Sequence, residues 1–475
     1  MKREELLEQR DELELPDTAG LSRRDALKLM GISPVAASVL ASTAPAASAE
    51  AVDVKGKILI VGGGSGAIMA LARLHRAISD PDITIIAPNE IHLYQPGQIF
   101  MAAGLYTHED IVKPNSDFIP DDVTWIKDEV AAFDPDNNRV TTRGGEEVAY
   151  DYLVVATGIV CHYDAIKGLT EDDIGTHGIS SVYLNNPEAG TAKGGEITWE
   201  WFNDLKAAAK NGKPKVIYTQ PNTPIKCGGA PQKILYLSAD YLKKEGLSAD
   251  YAFTTSFPNL FFLKPIADAL GEAQKRYDSI TNYFSHHLES IDVEGKVATY
   301  IHAYDEEVYD EDFDTYETVS KSDRIEMPYD FIHIVPPMSP PDAVVNSPLA
   351  GGDGWLEVDK YTLQHPRFPN VFGIGDVCGI PMGKTGGSAR HHGPVLQDNL
   401  LAVMQGKTSK EKFDGYTVCP LKTEYGEIIM AEFNYEGFAP TIPFLAPEKP
   451  RVMWWYFDVY MLKPMYWYLM LRGLM

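Results

Sequence analysis

Two cysteines, Cys227 and Cys378, carry the residue types and placement for redox chemistry at sulfur. Cys227 follows Lys226 and lies just ahead of a helix expected to begin near Gln232, and a cation together with a helix N-terminus favours the thiolate. Its turn, Gln220-Pro-Asn-Thr-Pro-Ile-Lys-Cys227-Gly-Gly-Ala-Pro231, follows the expected strand Lys215–Thr219. Strand, turn and helix are the parts of a dinucleotide site, yet the prolines supply no N–H and the glycine fingerprint is missing. The place of a nicotinamide reads as a place for sulfur. Cys378 stands two residues after Gly375-Asp376, at a second turn of the same kind.

Three motifs identify what those turns surround. Lys57-Ile-Leu-Ile-Val61 opens directly into Gly62-Gly-Gly64-Ser65-Gly66-Ala67, and a further strand, Asp82–Ile86, follows. This is a strand-borne G-x-G-x-x-A, which brings backbone N–H groups against a pyrophosphate. The second strand ends in Ala87 where an acid would hold the ribose, so either Glu90 substitutes from the turn or the ribose is held otherwise. Tyr152–Val155 then runs into Ala156-Thr157-Gly158, and Asn370–Ile374 into Gly375-Asp376. Together they predict an FAD site contributed by both ends of the chain, with the Cys227 unit inserted between them. Cys378 falls beside the flavin, and Lys384, ahead of a helix near Gly387, offers positive charge to the reduced ring. Cys227 and Cys378 are the expected redox pair.

The predicted class is α/β, with two tandem Rossmann-like domains of the two-dinucleotide flavoprotein type and a C-terminal amphipathic membrane-binding segment. Residues 50–165 and 331–405 form the FAD-binding parts, 166–330 the second Rossmann-like domain, and 406–475 a quinone- and membrane-binding region. The last of these holds Trp454, Trp455 and Trp467, broken by Asp458, Lys463 and Pro464, which suits a surface dipping into a bilayer interface. The acid-rich stretch Asp305–Asp323 reads as a solvated hairpin face. A formal charge of −25 over 475 residues excludes nucleic acid as a partner. Ser22-Arg23-Arg24 ahead of a soft apolar run ending Ala47-Ser-Ala49 predicts twin-arginine export, hence a peripheral protein on the periplasmic or extracytoplasmic face. A homo-oligomer is also compatible.

On His92-Leu-Tyr-Gln-Pro96, Ala156–Ile159, Pro221–Lys233, Pro336-Pro-Met-Ser-Pro-Pro341, Lys384-Thr385, Gly415-Tyr-Thr-Val-Cys419-Pro-Leu and Leu469–Gly473, the chain resembles the sulfide:quinone oxidoreductases, particularly the mitochondrial-like form. The resemblance runs from Lys57 to Leu474. It implies hydrogen sulfide oxidised at a cysteine pair beside FAD to persulfide sulfur, with two electrons passing to a membrane quinone. Cys227 matches the first redox cysteine. The second should directly follow the Asp of Gly-Asp, where Val377 stands, and Cys378 is one residue late. Cys419 matches the family and is read as structural, while Cys161 departs from the mitochondrial-like pattern. The alternatives are a flavocytochrome c-type sulfide dehydrogenase subunit and a type II NADH:quinone dehydrogenase.

Overall fold

Buried apolar strands followed by helices dictate parallel sheets, because each crossover helix covers a sheet face. The computed structural model describes residues 51–185, 193–277, 279–310 and 315–475. The twin-arginine stretch therefore lies outside the described residues. In chain order the first part supplies β1 (Lys57–Val61), α1 (Ser65–Ala77), β2 (Asp82–Ile86), β3 (Thr124–Ile126) and β4 (Tyr152–Val155). Next come β5 (Ile179–Ser180), α2 (Lys193–Ala209), β6 (Lys215–Gln220), α3 (Ala230–Lys243), β7 (Asp250–Thr255), β8 (Ile280–Tyr283) and β9 (Phe331–His333). The last part adds β10 (Val371–Gly373), α4 (Gly386–Met404), β11 (Thr417–Glu424), β12 (Glu427–Asn434), α5 (Val452–Tyr456) and α6 (Leu462–Tyr468).

These strands make two five-stranded parallel sheets. The first has the order β10-β4-β1-β2-β3, so the late strand β10 completes at one edge a sheet begun at Lys57. The second has the order β5-β9-β6-β7-β8. The described residues form one compact unit. The acid-rich stretch is indeed a hairpin, Val297–Asp310 pairing with Thr315–Pro328, and the second strand is exposed along nearly all its length.

Glycine sets the closest approach in the first sheet. Gly62 has φ +124°, and a Cβ there would lie 2.3 Å from the Ala156 carbonyl oxygen, so β1 and β4 meet only because position 62 has no side chain. Helix α4 crosses α1 at Gly393, where a Cβ would stand 2.9 Å from Met69 Cε. After β11 and β12 the chain returns over this core as α5, a π-helical turn at Phe457–Met461, and α6, which ends with Met470 and Leu471 buried beside α1.

Gly62→Ala combines a forbidden φ with a backbone clash and is expected to cost about 3 kcal/mol or more. Thermal melting should show a clearly lowered midpoint; an unchanged midpoint contradicts the close β1–β4 crossing.

Candidate functional site

The Cys227 turn holds a backbone conformation that cysteine rarely adopts, with φ +54°. Such left-handed residues cost about 1–3 kcal/mol and persist where the surroundings over-determine them. Here the Cys227 N–H donates to the Lys384 carbonyl at 2.8 Å, and Ala230 N–H closes back on the Cys227 carbonyl at 2.8 Å. The thiol is thereby aimed over the first turns of α3. Lys233, only 2% exposed, donates from Nζ to Cys227 Sγ at 2.9 Å.

The second sulfur at this turn is Cys419, on β11, which packs against the same turn in the same apolar cluster as Cys227. Gly229 makes the approach possible: a Cβ there would lie 2.6 Å from Cys419 Sγ and 2.4 Å from Leu421 Cδ2. Interaction with the Cys419 thiol pulls the Cys227 thiol well below its ordinary range; Lys233 and, further off, Lys422 add to this against the cost of burial. Cys227 and burial together push Cys419 well above it. Of the two sulfurs, Cys227 is therefore the one whose anion the surroundings favour. Burial opposes charge on Lys233, but the two cysteines raise its pKa nonetheless. Lys422 leaves the sheet toward the C-terminal π-turn, where its Nζ meets Asp458 Oδ2 at 2.5 Å with both side chains almost fully buried.

The expected pairing of Cys227 with Cys378 is not the one the fold makes. Cys378 is fully buried in a different apolar cluster, on the far face of the first sheet with Leu356, Val358 and Val377. Burial pushes its thiol up to about 12. The residue that separates it from Asp376 explains this: Val377 and Cys378 both turn into the core, and the Cys378 N–H folds back on the Gly375 carbonyl at 3.3 Å. Cys419, read as structural, occupies the partner's place. Cys161 is half-buried on an edge that pairs with Met338.

The three turns expected to hold a dinucleotide follow β1, β4 and β10, neighbouring strands of the first sheet. Helix α1 starts with an extended Gly64 and no side-chain cap, leaving its first N–H groups free for an anion. Around Gly64, Gly158 and Gly375 a Cβ would meet nothing within 4 Å, and the Thr157 hydroxyl is buried with no partner. Gly66 and Ala67 are buried against the sheet, with Gly66 facing Ile374. The open side of this cradle fits a bound FAD, with Ser65 at the helix start and Ala156 at the β4 turn. Burial raises the Asp376 carboxyl, and Lys384 partly offsets it. Lys384 itself is lowered to about 8 by burial; it donates to the Asp376 and Cys378 carbonyls at 2.8 and 2.9 Å and lies 3.5 Å from the Trp355 ring centre. It braces the Asp376 turn. Glu90, the expected ribose acid, instead pairs with Lys127 at the surface.

Comparison with known proteins now bears on this geometry. Residues 56–186 match the pyridine nucleotide-disulphide oxidoreductase family model. The chain is 36% identical over 420 residues to the mitochondrial sulfide:quinone oxidoreductase of Mus musculus, covering 88% of this chain and 86% of that one. The mitochondrial protein of that name from Dictyostelium discoideum is 36% identical over 423 residues, with the same coverage. The chain belongs to the sulfide:quinone oxidoreductase family. Its cofactor is FAD, and its fold is also that of the sulfide:quinone oxidoreductase from Aquifex aeolicus, with a TM-score of 0.68, 21% identity, and 88% and 92% of the two chains covered. The expected twin-arginine export to a periplasmic face is overturned by these relatives, which are named as mitochondrial.

Replacing Lys233 with Met removes both the hydrogen bond and the positive charge that favour the Cys227 thiolate. The pH midpoint for alkylation of Cys227 by iodoacetamide in the reduced protein should move upward; a midpoint that stays put separates Lys233 from the thiolate. Asp458→Asn leaves the Lys422 ammonium buried without its counter-ion, a loss on the order of 3–5 kcal/mol. Denaturant unfolding should show it, and an unaltered midpoint would mean the ion pair contributes nothing to stability.

Proposed function

We propose that this chain oxidises hydrogen sulfide at the Cys227–Cys419 pair and passes two electrons through FAD to a membrane quinone. The observation that carries the reading is the meeting of Cys227 and Cys419 at the Gly229 turn beside Lys233, whose Nζ donates to Cys227 Sγ at 2.9 Å. A modest rearrangement joins two thiols so placed as a disulfide.

The asymmetry of the pair sets the direction of attack. In thiol–disulfide exchange the thiol of lower pKa leaves faster, which makes Cys227 the leaving group and Cys419 the sulfur attacked. Hydrosulfide then bonds to Cys419 as the Cys227–Cys419 bond breaks, giving a Cys419 persulfide and a Cys227 thiolate that keeps the electron pair. Lys233 stabilises that thiolate from 2.9 Å. Bound FAD supplies the two-electron acceptor between the cysteines and quinone. A sulfur acceptor, such as a second sulfide, sulfite or a thiol, takes the outer sulfur of the persulfide. The oxidised pair also leaves Lys233 without its thiolate, so an anionic substrate is favoured over a neutral one.

Gly62, Gly64, Ser65, Gly66, Ala67, Ala156, Thr157, Gly158, Gly375 and Asp376 are the proposed FAD-holding residues, with Lys384 countering charge on the reduced ring. Residues 50–165 and 331–405 are the proposed FAD-binding domain around a second Rossmann-like domain, 166–330. The region 406–475 then has two duties, since it brings Cys419 as well as the proposed quinone and membrane contact. Among the described residues no helix is long and apolar enough to cross a membrane. Exposed Phe444, Val452, Tyr460 and Tyr468 suit contact with the bilayer interface.

Anaerobic addition of sulfide should bleach the flavin of the wild-type protein, and quinone should restore it. Cys227→Ser and Cys419→Ser should retain FAD and lose bleaching by at least about 100-fold in rate (on the order of 3 kcal/mol of activation free energy), while Cys378→Ser should bleach normally. Bleaching that survives in Cys419→Ser but fails in Cys378→Ser would overturn the assigned pair.

A further inference from the structure

The His92-Leu-Tyr94-Gln-Pro96 motif takes no part in the sulfur chemistry, yet its histidine stands at a junction. His92 is 1% exposed. Its Nδ1 lies 2.9 Å from Asn115 Oδ1, and its Nε2 lies 2.5 Å from the Tyr466 hydroxyl on α6. Asn115 spends its amide N–H groups on the Asn89 carbonyl at 2.7 Å and the Gly63 carbonyl at 3.3 Å. Its oxygen therefore accepts from His92, the histidine proton sits on Nδ1, and Nε2 must accept from Tyr466 O–H. Every direction in the chain is fixed, from Tyr466 through His92 and Asn115 to Gly63. Burial supports the assignment by drawing the imidazole down to about 4, which keeps it neutral.

The far end of that chain is the glycine turn that receives the dinucleotide. Gly63 is walled in by Ala87, Asn89 and Asn115, and the next residues, Gly64 and Ser65, open α1. The same tail is held on α1 and its neighbours at two further places. Trp467 stacks on Phe118 with ring centres 5.8 Å apart, and Gly473 lies against the Ala72–Arg73 backbone, where a Cβ would stand 2.9 Å from Arg73 N.

We infer that the C-terminal segment is a clamp on the dinucleotide turn, in which Tyr466, His92 and Asn115 are positioning residues for FAD, so that docking of α6 and retention of FAD stabilise each other. The coupling must be reciprocal: what the docked helix adds to FAD affinity, bound FAD adds to helix docking. It rests on the FAD site and the hydrogen-bond chain, and is independent of which cysteines handle sulfur.

Tyr466→Phe keeps the ring and removes only the hydroxyl. Release of FAD from the purified holoprotein, followed by the rise of free-flavin fluorescence, should be roughly tenfold faster than wild type, within the usual span of such couplings. Tyr468→Phe, which deletes an exposed hydroxyl on the same helix, should release FAD at the wild-type rate. Independently, limited proteolysis of the 440–451 segment in the wild-type protein should accelerate when FAD is stripped, and Tyr466→Phe should blunt that difference. Equal release rates in Tyr466→Phe and wild type, or tail cleavage indifferent to FAD, would refute the clamp.

Discussion

Two buried ammonium groups and one buried carboxylate share the space behind the cysteine pair, and the need to balance them constrains everything around it. Lys422 is answered by Asp458. Lys233 is answered chiefly by sulfur, its hydrogen bond going to Cys227, with a smaller contribution from Asp458. An isolated charge in a low-dielectric interior costs several kcal/mol, so the thiolate is the counter-ion that lets Lys233 remain where it is. The lysines add to the depression of the Cys227 thiol, while Cys227 and burial raise Cys419 against them. The left-handed Cys227, pinned through Lys384, fixes the distance over which it acts.

How much of this could be read in the sequence depended on range. The strand-turn-helix of Gly62 to Ala67 is legible because every part lies within a dozen residues, and both parallel sheets follow from such units. Cys227 was legible for the same reason: Lys226 and the start of α3 are its neighbours along the chain. Cys419 was not. Its reactivity comes from a strand packing across Gly229, and nothing within ten residues of position 419 records that approach. The one available signal was its place in the Tyr416-Thr-Val-Cys-Pro-Leu block.

Cys378 shows the opposite error. Adjacency to Gly375-Asp376 tells where the backbone goes but not which side of the sheet receives the thiol. Val377 and Cys378 are both fully buried, and an apolar pocket of Leu356 and Val358 takes the sulfur away from the cleft. Glu90, in the turn after β2, pairs with Lys127, a partner that its neighbours in sequence do not announce. Helix α4, by contrast, begins one residue from where its glycines place it, capped by Thr385.

The π-turn that carries Asp458 makes the charge balance behind the sulfur pair depend on a segment that follows both sheets and both cysteines in the chain. Until Asp458 docks, Lys422 has no carboxylate against it, and until Tyr466 docks, His92 has no hydroxyl at its Nε2. One short stretch of chain therefore serves the sulfur side and the dinucleotide side of the molecule at once.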